Sequence, residues 1–178
     1  IAAVMRAVSL FDSRPDAYLL TLRVLCVVAS LSVPYAGFRI AGRHAGPGAA
    51  IAAGLLFALS PQAVYFAPVV MTEPLAADIA LLAIAIGDGA YGHKRETRDL
   101  LLAGTLFGLA SALRYQYAPM LGVVALWQHA RHLRPFLLVG ASGVAVVVLA
   151  VGVVDAVTWG MPFQSVWLNF KINLIDGK

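Results

Sequence analysis

Charge is what this sequence has least of. Only 12% of its 178 residues are Asp, Glu, Lys or Arg, about half of the roughly 25% that soluble domains carry. With 61% hydrophobic residues and a mean hydropathy of +0.83, the helices of a soluble bundle would have no polar face to offer water. Cysteine is nearly absent as well: Cys26 stands alone among apolar residues, so it has no disulfide partner and says nothing about redox compartment. The N-terminus has no basic region followed by an apolar stretch and a small-residue cleavage site, so no secretory signal is visible. The chain opens on Ile1 rather than methionine and stops at Lys178 in a polar segment, which reads as an excerpt of a longer protein. Also missing are a phosphate-binding glycine loop, a nucleophile elbow and zinc-ligand spacing. His129 and His132 are spaced to share a helix face but have no third ligand nearby, and no metal site is expected. The net charge of +4 is spread over loops without an aromatic-interleaved patch, which argues against nucleic acid as a partner.

Long uncharged apolar runs are what the sequence has instead. Residues 47–72 and 136–154 carry no formal charge, and about 18 such residues suffice to cross the hydrocarbon core as a helix. Because lipid cannot satisfy backbone polar groups, these runs should be helices and not open strands. Six segments are expected, at 18–38, 48–67, 74–87, 100–113, 117–129 and 136–154. The expected fold class is therefore all-α, a polytopic transmembrane helical bundle with membrane lipid as its surroundings, residues 1–178 forming part of a single domain. Arg23, near the start of the first segment, can snorkel to the interface. The third, fourth and fifth segments are short for a full crossing. Gly104 and Gly108 form a GxxxG that permits close helix packing.

The connections fall into two classes. Arg39, Arg43 and His44, then His93, Lys94, Arg95 and Arg98, then Arg131, His132 and Arg134 form short basic links, which the positive-inside rule assigns to the cytoplasm. The opposite face holds the segment with Asp12, Arg14 and Asp16, then residues 60–74, then 114–119, then everything after Asp155. On that face Glu73, Arg114 and Asp155 each stand alone at the edge of an apolar run, where an unpartnered ionisable group is costly and a functional role is the default reading.

Each of these residues has two explanations. In Thr72-Glu73-Pro74, Glu73 is either a helix-start residue favoured by capping and the dipole or a carboxylate at a water-filled rim, able to bind a sugar hydroxyl or take a proton. Asp78 points about 140° away around the same helix, so the two are not a side-by-side acid pair, and Asp78 faces another helix or a polar cavity. Arg114-Tyr115-Gln116-Tyr117 offers a guanidinium fork suited to phosphate with aromatic flanks, or an interfacial anchor. Trp159, Phe163 and Trp167 form an aromatic band, and the tail from Trp167 to Asn173 is amphipathic enough to lie along the interface.

The order of these pieces resembles the C-type glycosyltransferases, integral membrane enzymes that use lipid-phosphate sugars. Three passages carry the resemblance: Ser60-Pro61 with Thr72-Glu73-Pro74-Leu75; Gly104, Gly108-Leu109-Ala110 with Arg114-Tyr115-Gln116; and Asp155, Trp159-Gly160, Pro162-Phe163 with Asn169-Phe170 and Asn173. The last is similar to the family 22 mannosyltransferases of the GPI-anchor and dolichol pathways, with Trp159 where that family more often has tyrosine. The resemblance implies transfer of a sugar, mannose, from a polyprenyl-phosphate donor to an acceptor on the non-cytoplasmic face. It further implies that Arg114 binds the donor phosphate, that Gln116 is among the substrate-binding residues, that Glu73 lines the active cavity, that Asp155 sits in the loop above it, and that the catalytic acid lies upstream of Ile1. A transporter or lipid flippase subunit also places lone charges at broken helices, but no inverted repeat is visible and the charges cluster on one rim. A non-catalytic scaffold in an envelope complex stays open.

Overall fold

The computed structural model describes residues 15–90, 96–129 and 132–172, and every element in them is helical. Asp12, Arg14, His93, Lys94, Arg95, Arg131 and Asn173 lie outside the described residues. The chain divides into two compact units, Ile1–Ala85 and Ile86–Lys178.

The first unit contains α1 (Pro15–Ser30), α2 (Ser32–Leu59), α3 (Pro61–Phe66) and most of α4 (Thr72–Asp88). Helical structure is continuous over Asp16–Leu59, 44 residues, and a straight helix of that length would be about 66 Å long, twice the hydrocarbon core. It is not straight. Gly46 has φ 85° and ψ −179°, with Pro47 immediately after it. That conformation is open to glycine and strained for other residues. The chain reverses there. Gly37 lies against the Phe57 ring, Gly54 against Phe38, and a Cβ on Gly42 would stand 3.2 Å from that of Ala50. Residues 20 apart touch only if the two limbs of α2 run antiparallel. The expected division between 38 and 48 is therefore present, but as a hairpin turned on one glycine. The residues read as a basic loop, Arg39, Arg43 and His44, are instead the last helical turns before it.

Side chains of α1 and the first limb meet α4 in the same chain direction. Cys26 shares a small cavity with Pro74, Leu75 and Asp78, Ser32 Oγ donates to the Asp78 carbonyl (3.4 Å), and the Arg43 guanidinium donates to the Ala85 carbonyl (2.6 Å). The unit is thus an up-down-up arrangement, with its basic turn at one end and α3 at the other. Ser60 starts α3 by accepting from the Ala63 N–H (3.1 Å), and Pro61 occupies the first turn, where its missing N–H costs nothing.

The second unit holds α5 (Glu96–Leu113), a 3-10 turn (Tyr115–Tyr117), α6 (Ala118–His129), α7 (Leu133–Val147), a π segment (Val148–Val153), α8 (Val154–Trp159) and α9 (Gln164–Phe170). α5 and α7 are parallel and pack at backbone distance. A Cβ on Gly108 would lie 2.9 Å from Val146 Cβ and 3.0 Å from the Gly143 carbonyl carbon, and one on Gly104 would stand 2.8 Å from Val139 Cα. The GxxxG expected to bring helices together does so, against Val139, Ser142, Gly143 and Val146. At the far end Arg134 donates to Thr97 Oγ1 (3.1 Å), beside the Arg98–Asp99 pair (3.3 Å). Gly160, at φ 76°, ends α8 by donating to the Ala156 carbonyl (3.1 Å), the usual glycine stop.

Six apolar runs were expected to span. All are largely helical, the second being broken at Ser60, but among the described residues only Asp16–Leu59 and Leu133–Trp159 are long and apolar enough to cross a membrane by themselves. The physical reason is length and charge: α4 has 17 residues, α6 has 12, and α5 carries Glu96, Arg98 and Asp99 in its first turn.

Candidate functional site

Site residues gather at the end of the second unit remote from Arg98 and Arg134. α5 stops at Leu113. Arg114 leaves the helical region (φ −145°, ψ 91°) and Tyr115–Tyr117 turns the chain into α6. Arg114 is half-buried and Gln116 is exposed. The Tyr115 hydroxyl donates to Asn169 Oδ1, so the turn is tied to α9, which lies 54 residues further along the chain. This joins two passages that the sequence presents separately.

Asp155 was expected in a loop and is found in the first turn of α8, only 5% exposed. Its carboxylate accepts from the Ser165 N–H (2.8 Å) and the Ser165 hydroxyl (2.5 Å). It therefore caps the start of α9 from outside the helix, supplying the acceptor that free first-turn amides need. α9 is held at both ends: by Asp155 through Ser165, and by Tyr115 through Asn169. Ser165 is the residue that sequence reasoning missed. Its only signal was a hydroxyl in the first turn of a short polar-apolar helix, which means little without knowledge of the partner ten residues earlier.

The helices that the 3-10 turn connects line an open apolar cavity of about 420 Å³. Its walls come from α5, α6, α7 and the π segment, and include Ser111 and Ala118, which flank Arg114 by about one turn on each side. Gly122 and Gly140 also line it, and a Cβ added to either would meet nothing within 4 Å. Phe163, at φ 58°, closes one wall, its ring lying where a side chain on Gly152 would be (2.9 Å from an added Cβ). Gly152 sits within the π segment, and such single-turn widenings recur at functional sites. Outside the cavity Trp167 stacks on Phe170 with ring centroids 6.0 Å apart, while Trp159 is exposed.

Glu73 belongs to the first unit. It lies in the first turn of α4, half-buried, with the Thr72 hydroxyl donating to its Oε2 (3.3 Å). Asp78, one and a half turns on, faces α1, where it lines the small cavity with Cys26. The expectation that it turns away from Glu73 toward another helix is met.

No curated protein and no solved structure matches this chain. Residues 7–154 match the family described as dolichyl-phosphate-mannose-protein mannosyltransferase. The likeness to family 22 rested on the passage from Asp155 onward, which lies beyond the matched residues, so the match does not bear on it. Since the match covers most of the chain and includes Glu73, Arg114 and the GxxxG, the chain belongs to the dolichyl-phosphate-mannose-protein mannosyltransferase family, a family of membrane glycosyltransferases.

Proposed function

We propose that this chain takes part in transferring mannose from a polyprenyl-phosphate donor to an acceptor hydroxyl on the non-cytoplasmic face of a membrane, with six membrane segments, three in each unit. The observation that carries the reading is the position of Arg114, between two residues that wall an apolar cavity of about 420 Å³. A lipid-linked sugar phosphate needs a cation for its phosphate and a dry apolar surface beside it for the first units of its chain. Arg114 is assigned the phosphate, and the cavity lined by the residues on either side of it is assigned the chain.

In the reaction an acceptor oxygen bonds to the anomeric carbon as the bond from that carbon to the phosphate oxygen breaks. Polyprenyl phosphate leaves with the bonding pair, and the hydroxyl proton passes to a carboxylate base. Arg114 acts on the departing phosphate: its planar fork donates two charge-assisted hydrogen bonds to the oxygens on which negative charge accumulates. Gln116 is assigned to hydroxyls of the sugar or acceptor. Asp155 is a positioning residue, acting through α9 and Tyr115 on the turn that carries Arg114.

The test is mannosyl transfer by membranes carrying Arg114→Ala and Arg114→Lys, with insertion checked by protease protection of the loops. Arg114→Ala should abolish transfer, and Arg114→Lys, which keeps the charge but not the fork, should restore part of it. Normal transfer by an inserted Arg114→Ala protein overturns the assignment.

A further inference from the structure

Arg23 is a cation that the proposed reaction leaves unused. It lies in the third turn of α1, exposed on a helix whose neighbouring residues are Leu and Val with Thr21 and Cys26. Among the described residues its guanidinium makes neither a hydrogen bond nor an ion pair. Asp16, the acid on the same helix, is seven residues earlier, about 10 Å along the axis, too far to neutralise it.

The surroundings of Arg23 are specific. It lines a groove of about 700 Å³ with Leu19 from α1, Val64 and Tyr65 from α3, and Val69 and Val70 from the connection into α4. The groove is at the end of the unit opposite the Gly46 turn, where α3 lies and α1 begins. Its size is within the range of ligand pockets. It combines one cation, one phenol and aliphatic walls, and the ligand complementary to all three is an anion carrying a hydrocarbon chain. Tyr65 makes an edge-to-face contact with Phe66, ring centroids 5.0 Å apart, and is itself largely exposed, as suits a headgroup-level aromatic.

We propose that this groove binds a bilayer phospholipid, its phosphate on Arg23 and Tyr65 and one acyl chain along Leu19, Val64, Val69 and Val70. An arginine that only snorkels would be served by any lipid headgroup in passing. A walled groove holds one lipid in place, and bridges α1 to α3 and the connection after it by way of that lipid. The groove is built from residues of the first unit, whereas Arg114 belongs to the second.

The experiment is native mass spectrometry of the detergent-purified protein titrated with phosphatidylglycerol, comparing wild type, Arg23→Gln, Arg23→Lys and Arg98→Gln. Losing a charge-assisted contact to phosphate should weaken binding about tenfold in Arg23→Gln, with part of it regained in Arg23→Lys. Arg98→Gln, which removes an exposed cation already paired with Asp99, should bind as wild type does. Equal binding by Arg23→Gln overturns the proposal, and so does an equal loss in Arg98→Gln, which would mean general surface charge. Displacement of phosphatidylglycerol by inorganic phosphate at the same concentration, or by polyprenyl phosphate in preference, also overturns it, by showing a free-anion site or a donor site.

Discussion

Replacing Asp155 tests whether it works through α9 or on the reacting atoms. Asp155 is 5% exposed, and its carboxylate accepts two hydrogen bonds from Ser165, at 2.8 Å and 2.5 Å. Hydrogen bonds to a charged group contribute about 1.5–3 kcal/mol each, and stranding buried donors costs about 1–3 kcal/mol. Ser165 itself is exposed, so water or headgroups can replace part of what Asp155→Ala removes, and the net cost falls near the low end, about 1.5–2 kcal/mol. At 1.4 kcal/mol per factor of ten, opening of α9 should become about 10–30 times more frequent. Asp155→Asn keeps a neutral acceptor and should cost about half as much. Ser165→Ala keeps the backbone bond and should cost least. Hydrogen exchange of the 163–172 peptide in nanodiscs reads this directly, with the expected order Asp155→Ala, then Asp155→Asn, then Ser165→Ala. Because α9 also holds Tyr115 through Asn169, Asp155→Ala should raise the KM for the lipid donor more than it lowers kcat. Unchanged exchange in Asp155→Ala would refute the capping argument. Lost transfer with unchanged exchange would move Asp155 into the group that touches substrate.

Gly108→Val should lower the thermal unfolding midpoint in detergent by an amount corresponding to about 1–3 kcal/mol, the usual cost of forcing carbon into a filled contact, since a Cβ there already meets Val146 at 2.9 Å. Gly122→Ala, with nothing within 4 Å of an added Cβ, is the control, and equal midpoints for the two would show that α5 and α7 are not in backbone contact. In a Cys26→Ala background, Gly42→Cys with Ala50→Cys should form a disulfide on mild oxidation, because Cβ atoms 3.2 Å apart are close to the bonding separation. If α2 were one straight helix, those residues would be about 12 Å apart, and no bond would form.

Much of the architecture was legible from short-range rules. Gly104 and Gly108, four apart in a helix, must share a face, so close packing could be expected; that Ser142, Gly143 and Val146 receive them could not, because those residues are 34 or more positions away. Glu73 and Asp78 could be set apart by the helical period alone. The basic residues Arg39, Arg43 and His44 were legible as the end of a segment, but not as helix, because the sequence marks where a chain must turn and not how late it turns. Asp155 was misplaced for a related reason. It ends an apolar run in the sequence, yet the π segment and α8 carry the helix past it.

By itself, then, the sequence determined that the chain is helical and that its charges fall mostly at the breaks between apolar runs. Both follow from local causes: the lack of polar residues to satisfy a backbone in any other way, and the spacing of charge between apolar runs. Only the tertiary structure decided that Tyr115 meets Asn169, that Asp155 holds Ser165, and that Ser111 and Ala118, on either side of Arg114 in the chain, line one apolar pocket. These depend on side chains from helices far apart in the chain, whose mutual distance no periodicity encodes. Glycines that permit close approach, and one that permits reversal, set those distances.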